Sequence, residues 1–184
     1  LKWYICMEQE SKSKVVIIGG GPAGCMCAYF LQNDFDVIVL EKNSPLKTLL
    51  PTGGGRCNLC HAEFDFKELA KNYPRGEKFL YSAFSKFGTQ DTLDFFNSIG
   101  IDTYTQEDNR IFPKEVQEKL LKVIQKSDFI KEEVEQIEKL QNCYKITTNK
   151  SKYAFDIVVL AIGGHSNFKI LTPLDLKNET PVQA

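Results

Sequence analysis

The stretch whose reading decides the fold is KVVIIGGGPAG, Lys14 to Gly24. Its first part is β-branched and apolar on both faces, as in a strand buried within a parallel sheet. Gly19-Gly20-Gly21-Pro22-Ala23-Gly24 then spells G-x-G-x-x-G. From Pro22 to Gln32 the apolar residues recur at helical spacing, with proline in the first turn, where a missing N–H costs little. A strand, a glycine turn and a helix in this order are the context in which the motif holds a dinucleotide. Gly19 allows the tight turn, Gly21 lets backbone approach a pyrophosphate, and Gly24 lets the helix pack closely. The helix N-terminus, at Pro22 and Ala23, offers N–H groups and a positive dipole end to phosphates.

Asp36 to Glu41 (DVIVLE) reads as a second buried strand, which completes a βαβ unit over residues 14–41. Glu41 ends that strand about 20 residues beyond the glycines, where a carboxylate accepts hydrogen bonds from a ribose 2′-OH. Lys42 follows it directly. A carboxylate there argues against a 2′-phosphate, hence against NADPH at this site. The motif does not separate FAD from NAD, since both carry an adenosine diphosphate with a free 2′-OH.

Farther along, Asn43 to His61 reads as a long glycine-rich connection. Phe64–Tyr73, Gly76–Phe87 and Thr89–Ser98 read as helices rich in Phe and Tyr, the third stopped by Gly100. Ile101–Gln106 and Arg110–Phe112 read as short strands, and Pro113 as the opening of a helix to Lys126. Val134–Glu138, Tyr144–Thr148 and Tyr153–Phe155 suggest a small β-meander. Asp156 to Ala161 (DIVVLA) is a further apolar strand, which runs into Gly163-Gly164. The expectation is one α/β domain over residues 14–164. It is a Rossmann-like, doubly wound parallel sheet with a helical segment inserted at 64–126 and a meander with its return strand at 129–164. An irregular tail occupies residues 165–184.

The 184 residues suffice for one domain with a core. Hydrophobic residues at 42% and charged residues at 26% are ordinary for a globular chain. A net charge of -1 supplies no global field toward nucleic acid or an anionic membrane. The 6 Cys are too few and too scattered for a disulfide framework, which favours a reduced, cytoplasmic setting. No signal peptide is readable before Lys14, and the glycines and proline after Val15 argue against a membrane span. Oligomeric state is not readable from these residues.

Two further glycine clusters carry candidate chemistry. Gly53-Gly54-Gly55-Arg56 lets the main chain bend tightly against a flat or charged ligand. Arg56 could then contact a phosphate or a reduced flavin; a surface loop with a solvated arginine fits the same residues. The second cluster, Ala161-Ile162-Gly163-Gly164, lies at the end of an apolar strand, where ligands of α/β folds bind, although by itself it reads first as a simple strand-ending turn. Cys57-Asn58-Leu59-Cys60-His61 spells C-x-x-C-H, the haem c pattern, but no export signal accompanies it. Zinc would need two more ligands at sensible spacing. Cys57 and Cys60 read first as two ordinary thiols; the rarer alternative is a redox dithiol, with Arg56 expected to lower the thiol pKa. The aromatics between Phe64 and Phe112 could stack single-stranded RNA, but the interspersed acids and the charge favour a core role.

The series VVIIGGGPAG, LEK, TGGGRCN, NYPRGEKFLYSAFSKF, NRIFP and VVLAIGG resembles the FAD-dependent flavoproteins of the BaiN/RdsA type. These are also described as aminoacetone-oxidase-family or YhiN-like NAD(P)/FAD-dependent oxidoreductases. The likeness spans Lys14 to about Gly164. It implies FAD in extended form, with Gly19, Gly21 and Gly24 on the pyrophosphate and Glu41 on the adenosine ribose. Gly54, Gly55, Arg56, Cys57 and Asn58 would then lie near the flavin, Val134 beside the adenine, and Gly163 and Gly164 would match the family's A-T-G-G. It implies NAD(P)H as electron donor and reduction of a carbon–carbon double bond in a small molecule or a nucleobase. The chain departs from the pattern at Cys60-His61, where the family has T-N, and at Ile162, where it has threonine. Family members run to roughly twice this length, adding a substrate domain and a segment that covers the flavin. Two rival readings are a flavin-linked thiol–disulfide reductase using Cys57 and Cys60, and a truncated nucleotide-binding module without catalysis. No residue is singled out as a catalytic acid or base, and none as a metal ligand.

Overall fold

The computed structural model describes residues 12–49, 51–114 and 127–164. The chain divides into two compact units. One comprises Leu1–Thr48 and Leu121–Glu179; the other comprises Leu49–Leu120 and Thr180–Ala184.

In the first unit, β1 (Lys14–Ile18), α1 (Pro22–Leu31) and β2 (Asp36–Leu40) form the expected βαβ unit. Two later strands complete a four-stranded parallel sheet: β6 (Asp128–Ile130) beside β2, and β10 (Ile157–Leu160) beside β1. Read across the sheet from β6, the strands are the third, second, first and fourth in chain order. That is the Rossmann order, and its reversal falls between β1 and β10. Register is set by alternation, since successive strand residues point to opposite faces. Val15, Ile17, Val37 and Val39 pack with Ala28 of α1 on one face. On the other, Val16, Ile18 and Leu40 pack with Ile137, Ile146 and Phe155 of a three-stranded antiparallel meander. That meander is β7 (Val134–Lys139), β8 (Tyr144–Thr148) and β9 (Lys152–Phe155). Each such Val or Ile contributes about 1.5–3 kcal/mol by leaving water, so both faces hold the sheet firmly.

The second unit holds a short helical turn, α2 (Thr52–Gly55), then α3 (Phe66–Lys71), α4 (Glu77–Phe84) and α5 (Thr89–Ser98). Its sheet is antiparallel, ordered β3 (Cys60–His61), β5 (Arg110–Pro113), β4 (Thr103–Thr105). Asp65 caps α3 by accepting from the Lys67 and Glu68 amides at 2.8 and 3.1 Å, which satisfies two orphan donors of the first turn. Phe96, Ile101, Ile111 and Phe112 are buried here, while Phe64, Tyr73, Phe79 and Phe87 are exposed. The aromatics of this segment are therefore only partly core.

Several expectations need correction. The connection 43–61 is not structureless, because it contains α2 and β3. Pro113 does not open a helix; it ends β5 and pairs with Thr103. The rest of that expected helix, from 115 to 126, lies outside the described residues, as does the tail 165–184. Strand β6 was not expected at all. Among the described residues no helix is long and apolar enough to cross a membrane.

Candidate cofactor-binding site

The glycine turn of the first unit sits at the carboxyl end of β1, where the strand order reverses. Gly19 has φ +108, and a Cβ there would stand 2.3 Å from the Ala161 carbonyl oxygen. Ala161 in turn donates its N–H to Ile18 O at 2.9 Å. The first glycine and the β10 terminus are thus in backbone contact. A Cβ on Gly24 would lie 1.9 Å from Gly19 O, so α1 can rest on the turn only through a glycine. Gly21 is different. A Cβ there meets only Thr48 Oγ1, at an ordinary 3.5 Å. Packing demands the first and last glycines, whereas the middle one borders open space of the kind a pyrophosphate needs. Gly21 is the N-cap of α1, with no side-chain cap, and no acid lies in the first turn. The Ala23 region therefore presents a positive helix end, while Pro22 removes one donor. These residues fit a dinucleotide phosphate.

Glu41, directly after β2, is held by two backbone amides. Gly20 N donates to Oε2 and Asn43 N to Oε1, both at 2.7 Å. An ionised carboxylate has about four lone-pair positions, so acceptor capacity remains for ribose hydroxyls. The other side of the Gly20 peptide is fixed too. Its carbonyl accepts from Leu46 N at 2.8 Å and from the Cys25 thiol at 3.3 Å. Leu46 is buried with φ 59, a left-handed conformation that a leucine adopts only when its surroundings hold it there. Burial first, and the Glu41 charge second, push the Cys25 thiol up to about 12, so it stays a neutral donor. Sequence reading missed Gly20, Cys25 and Leu46, because an apolar helix position and backbone amides carry no distinctive pattern.

Of the remaining expected residues of this unit, Lys42 follows the carboxyl end of β2 and Gly163 and Gly164 that of β10, while Val134 belongs to the meander. Lys42 pairs with Glu133 at 3.7 Å, both exposed. Val134 opens β7 opposite Thr148 and is half-buried. Gly163 has φ +71 and precedes Gly164, the last described residue of the segment.

The second glycine cluster lies in the other unit. Gly53, Gly54 and Gly55 all have positive φ (61, 70 and 84), forming a left-handed turn that other residues resist. At Gly53 a Cβ would also stand 2.3 Å from Phe112 Cε1. Thr52 organises the turn: its carbonyl accepts from Arg56 N and Cys57 N at 3.2 and 3.1 Å, and its hydroxyl accepts from Asn58 N at 3.0 Å. The amides of Arg56, Cys57 and Asn58 are thus committed within the loop. Arg56 folds back, donating from Nε to Gly53 O at 2.9 Å with its guanidinium 4.5 Å from the Phe112 ring centroid. The residue as a whole is exposed. Asn58 Oδ1 is shielded from water and accepts no hydrogen bond.

The thiols correct one expectation. Arg56 was expected to lower the pKa of its neighbours. Instead burial raises the Cys57 thiol, and burial pushes Cys60 up to about 11. Cys57 is almost wholly buried at φ 60, while Cys60 and His61 are strand residues paired with Ile111 and Arg110. The C-x-x-C-H spelling is thus divided between a loop and a strand.

Comparison with known proteins bears on the family and the fold. The chain is 28% identical over 166 residues to the 3-dehydro-bile acid delta(4,6)-reductase of Clostridium scindens, covering 84% of this chain and 40% of that one. It therefore spans about two fifths of that relative's length. Among solved structures, it resembles NikD, an unusual amino acid oxidase of nikkomycin biosynthesis. That match has TM-score 0.54 at 15% identity, covering 90% of this chain and 55% of NikD. It also resembles the Diels-Alderase PyrE3 of pyrroindomycin biosynthesis, with TM-score 0.50 at 15% identity, covering 83% of this chain and 32% of that one. At such identity these two likenesses show the fold alone. The family described as HI0933-like protein Rossmann domain matches residues 13–170, so this chain, with its Rossmann-like α/β FAD-binding fold, belongs to that family.

Proposed function

We propose that the chain is the FAD-binding part of an oxidoreductase of the BaiN/RdsA type, which reduces a carbon–carbon double bond with NAD(P)H as donor. The observation that carries the reading is the open side of Gly21, set over the uncapped N-terminus of α1 and beside Glu41. On this reading Gly19, Gly21, Pro22, Ala23 and Gly24 form the pyrophosphate cradle. Glu41 accepts from the adenosine ribose, with Lys42 next to it and Val134 on the adenine side. Ala161, Gly163 and Gly164 line the reversal point of the sheet. Gly54, Gly55, Arg56, Cys57 and Asn58 serve the flavin end, where Asn58 Oδ1 offers a shielded acceptor and Arg56 an exposed cation.

When bound, FAD supplies hydride transfer at its N5, and the protein contributes position and electrostatics. The reductase relative supports an unsaturated small molecule as substrate; a nucleobase fits the same chemistry, without support from charge. Raised thiol pKa values at Cys57 and Cys60 disfavour the thiol–disulfide reading.

The test is the absorbance of the purified protein, before and after incubation with FAD. Flavin bands that co-purify, or that remain after desalting, support the reading. A colourless protein that retains no FAD refutes it. Anaerobic bleaching of the bound flavin by NADH or NADPH, in the whole protein, then tests the donor.

A further inference from the structure

The segment that leads from β6 into β7, Lys131 to Val134, is joined almost residue by residue to the β8–β9 turn. Lys150 Nζ donates to Lys131 O at 3.1 Å. Glu133 N donates to Asn149 Oδ1 at 3.1 Å, and Asn149 N returns to Glu133 O at 2.9 Å. Between them stands Glu132, a buried carboxylate. Three hydroxyls donate to it: Thr148 to Oε2, Tyr153 to Oε2 at 3.1 Å, and Ser151 to Oε1 at 3.3 Å. The Thr148 hydroxyl is itself aimed by the amides of Lys150 and Ser151, at 3.2 and 2.8 Å. Burial pushes the Tyr153 phenol up, so it remains a donor. A buried carboxylate costs free energy unless its lone pairs are used, and a fully used one fixes its surroundings.

This knot adjoins the proposed ribose residue. Ile130 O accepts from both Glu41 N at 3.1 Å and Glu132 N at 3.0 Å. One carbonyl therefore joins the residue at the end of β2 to the start of the knotted segment, and Lys42 meets Glu133 just beyond. In this fold ligands lie outside the carboxyl ends of the strands. On the reading above, with Glu41 at the ribose and Val134 on the adenine side, this segment would border the base.

Resting on the dinucleotide reading above, we propose that Glu132 is a positioning residue for base recognition: it rigidifies Lys131–Val134 as the wall against which a purine ring is held. It touches no ligand itself. Its hydroxyl partners lock the hairpin turn to the wall, which leaves the wall's shape preset before the nucleotide arrives.

The experiment compares ADP with UDP, which share the ribose and diphosphate and differ in the base, by calorimetric titration of the intact chain. The unmodified protein is expected to prefer ADP. Glu132→Ala should weaken ADP at least about tenfold and UDP by less than about threefold, which collapses the preference. Tyr153→Phe removes one donor, leaves the other two in place, and should lower the ADP-to-UDP ratio by about threefold. It serves if Glu132→Ala does not fold. An unchanged ADP-to-UDP ratio in the folded variants, or an equal loss for both nucleotides, overturns the proposal while leaving the dinucleotide reading intact. Failure of the unmodified protein to take up either ADP or FAD overturns both.

Discussion

Gly20 and Glu41 are joined by one hydrogen bond, from the Gly20 amide to Glu41 Oε2 at 2.7 Å. The carboxylate proposed for the ribose is thus also what holds the glycine turn. Removing it should affect binding twice over. Glu41→Ala is expected to weaken ADP by about 10- to 100-fold, the scale of one or two hydrogen bonds to a charged group. Glu41→Gln keeps one acceptor oxygen and should lose less. Titration with ADP measures both, and an unchanged affinity in Glu41→Ala would refute the role.

Gly21 and Gly24 should separate binding from stability. Gly24→Ala places a Cβ 1.9 Å from Gly19 O and is expected to destabilise the fold by about 1–3 kcal/mol or more. Gly21→Ala meets nothing closer than 3.5 Å, so its urea midpoint should barely move while FAD retention falls. Equal loss of stability in both variants would mean that the space beside Gly21 is not a phosphate cradle.

Cys25 gives a pH dependence with a definite sign. Its thiol rises from an ordinary 9.0 to about 12 on folding, from burial and the nearby Glu41 charge. Above about pH 9 the unfolded chain releases this proton while the folded chain keeps it. The thiol's contribution is therefore fully present below pH 9 and is lost as pH rises toward 12. Melting temperature should fall less steeply between pH 9 and 11 in Cys25→Ala than in the unmodified protein. Parallel slopes would contradict the assignment.

Cys60 should behave as a sluggish thiol. With its thiol near 11, the thiolate is scarce at neutral pH, and iodoacetamide should label it more slowly than a free cysteine. The rate should climb about tenfold per pH unit through pH 9 and 10, then level off near 11. Rapid labelling at pH 7 would return the dithiol reading to consideration. Cys60→Ser should leave flavin reduction by NAD(P)H unchanged.

In the second unit, Gly53→Ala should cost more stability than Gly54→Ala. Both positions are left-handed, which costs a non-glycine residue about 1–2 kcal/mol. Only Gly53 adds a collision, at 2.3 Å from Phe112 Cε1, whereas a Cβ on Gly54 meets nothing within 4 Å. Urea midpoints for the two variants would settle the order.

Sequence made the central sheet legible where strands were continuous apolar runs, as in Val15–Ile18, Val37–Leu40 and Ile157–Leu160. It missed Asp128–Ile130 because three residues carry no period; they are a strand because β2 offers them a partner. The tight bend at Gly53–Gly55 was legible from its glycines, while the helical turn it forms was not. Glu41 was visible from its spacing to the glycines. Its partners were not, because every residue but proline has an amide. No local pattern marks Glu132, because only the fold brings Thr148, Ser151 and Tyr153 around it.

The backbone contact between Gly19 and Ala161 bears on biosynthesis. The turn is encoded early, yet the strand that backs it is among the last described parts to be made. Val15 pairs with Ile157, a contact of high sequence separation that forms only after long loop closure. A nascent chain that has displayed its fingerprint glycines therefore still lacks the strand end that backs the glycine turn. Residues 51–114 are free to condense meanwhile, and the glycine turn gains its backing only when residues 157–161 have left the ribosome.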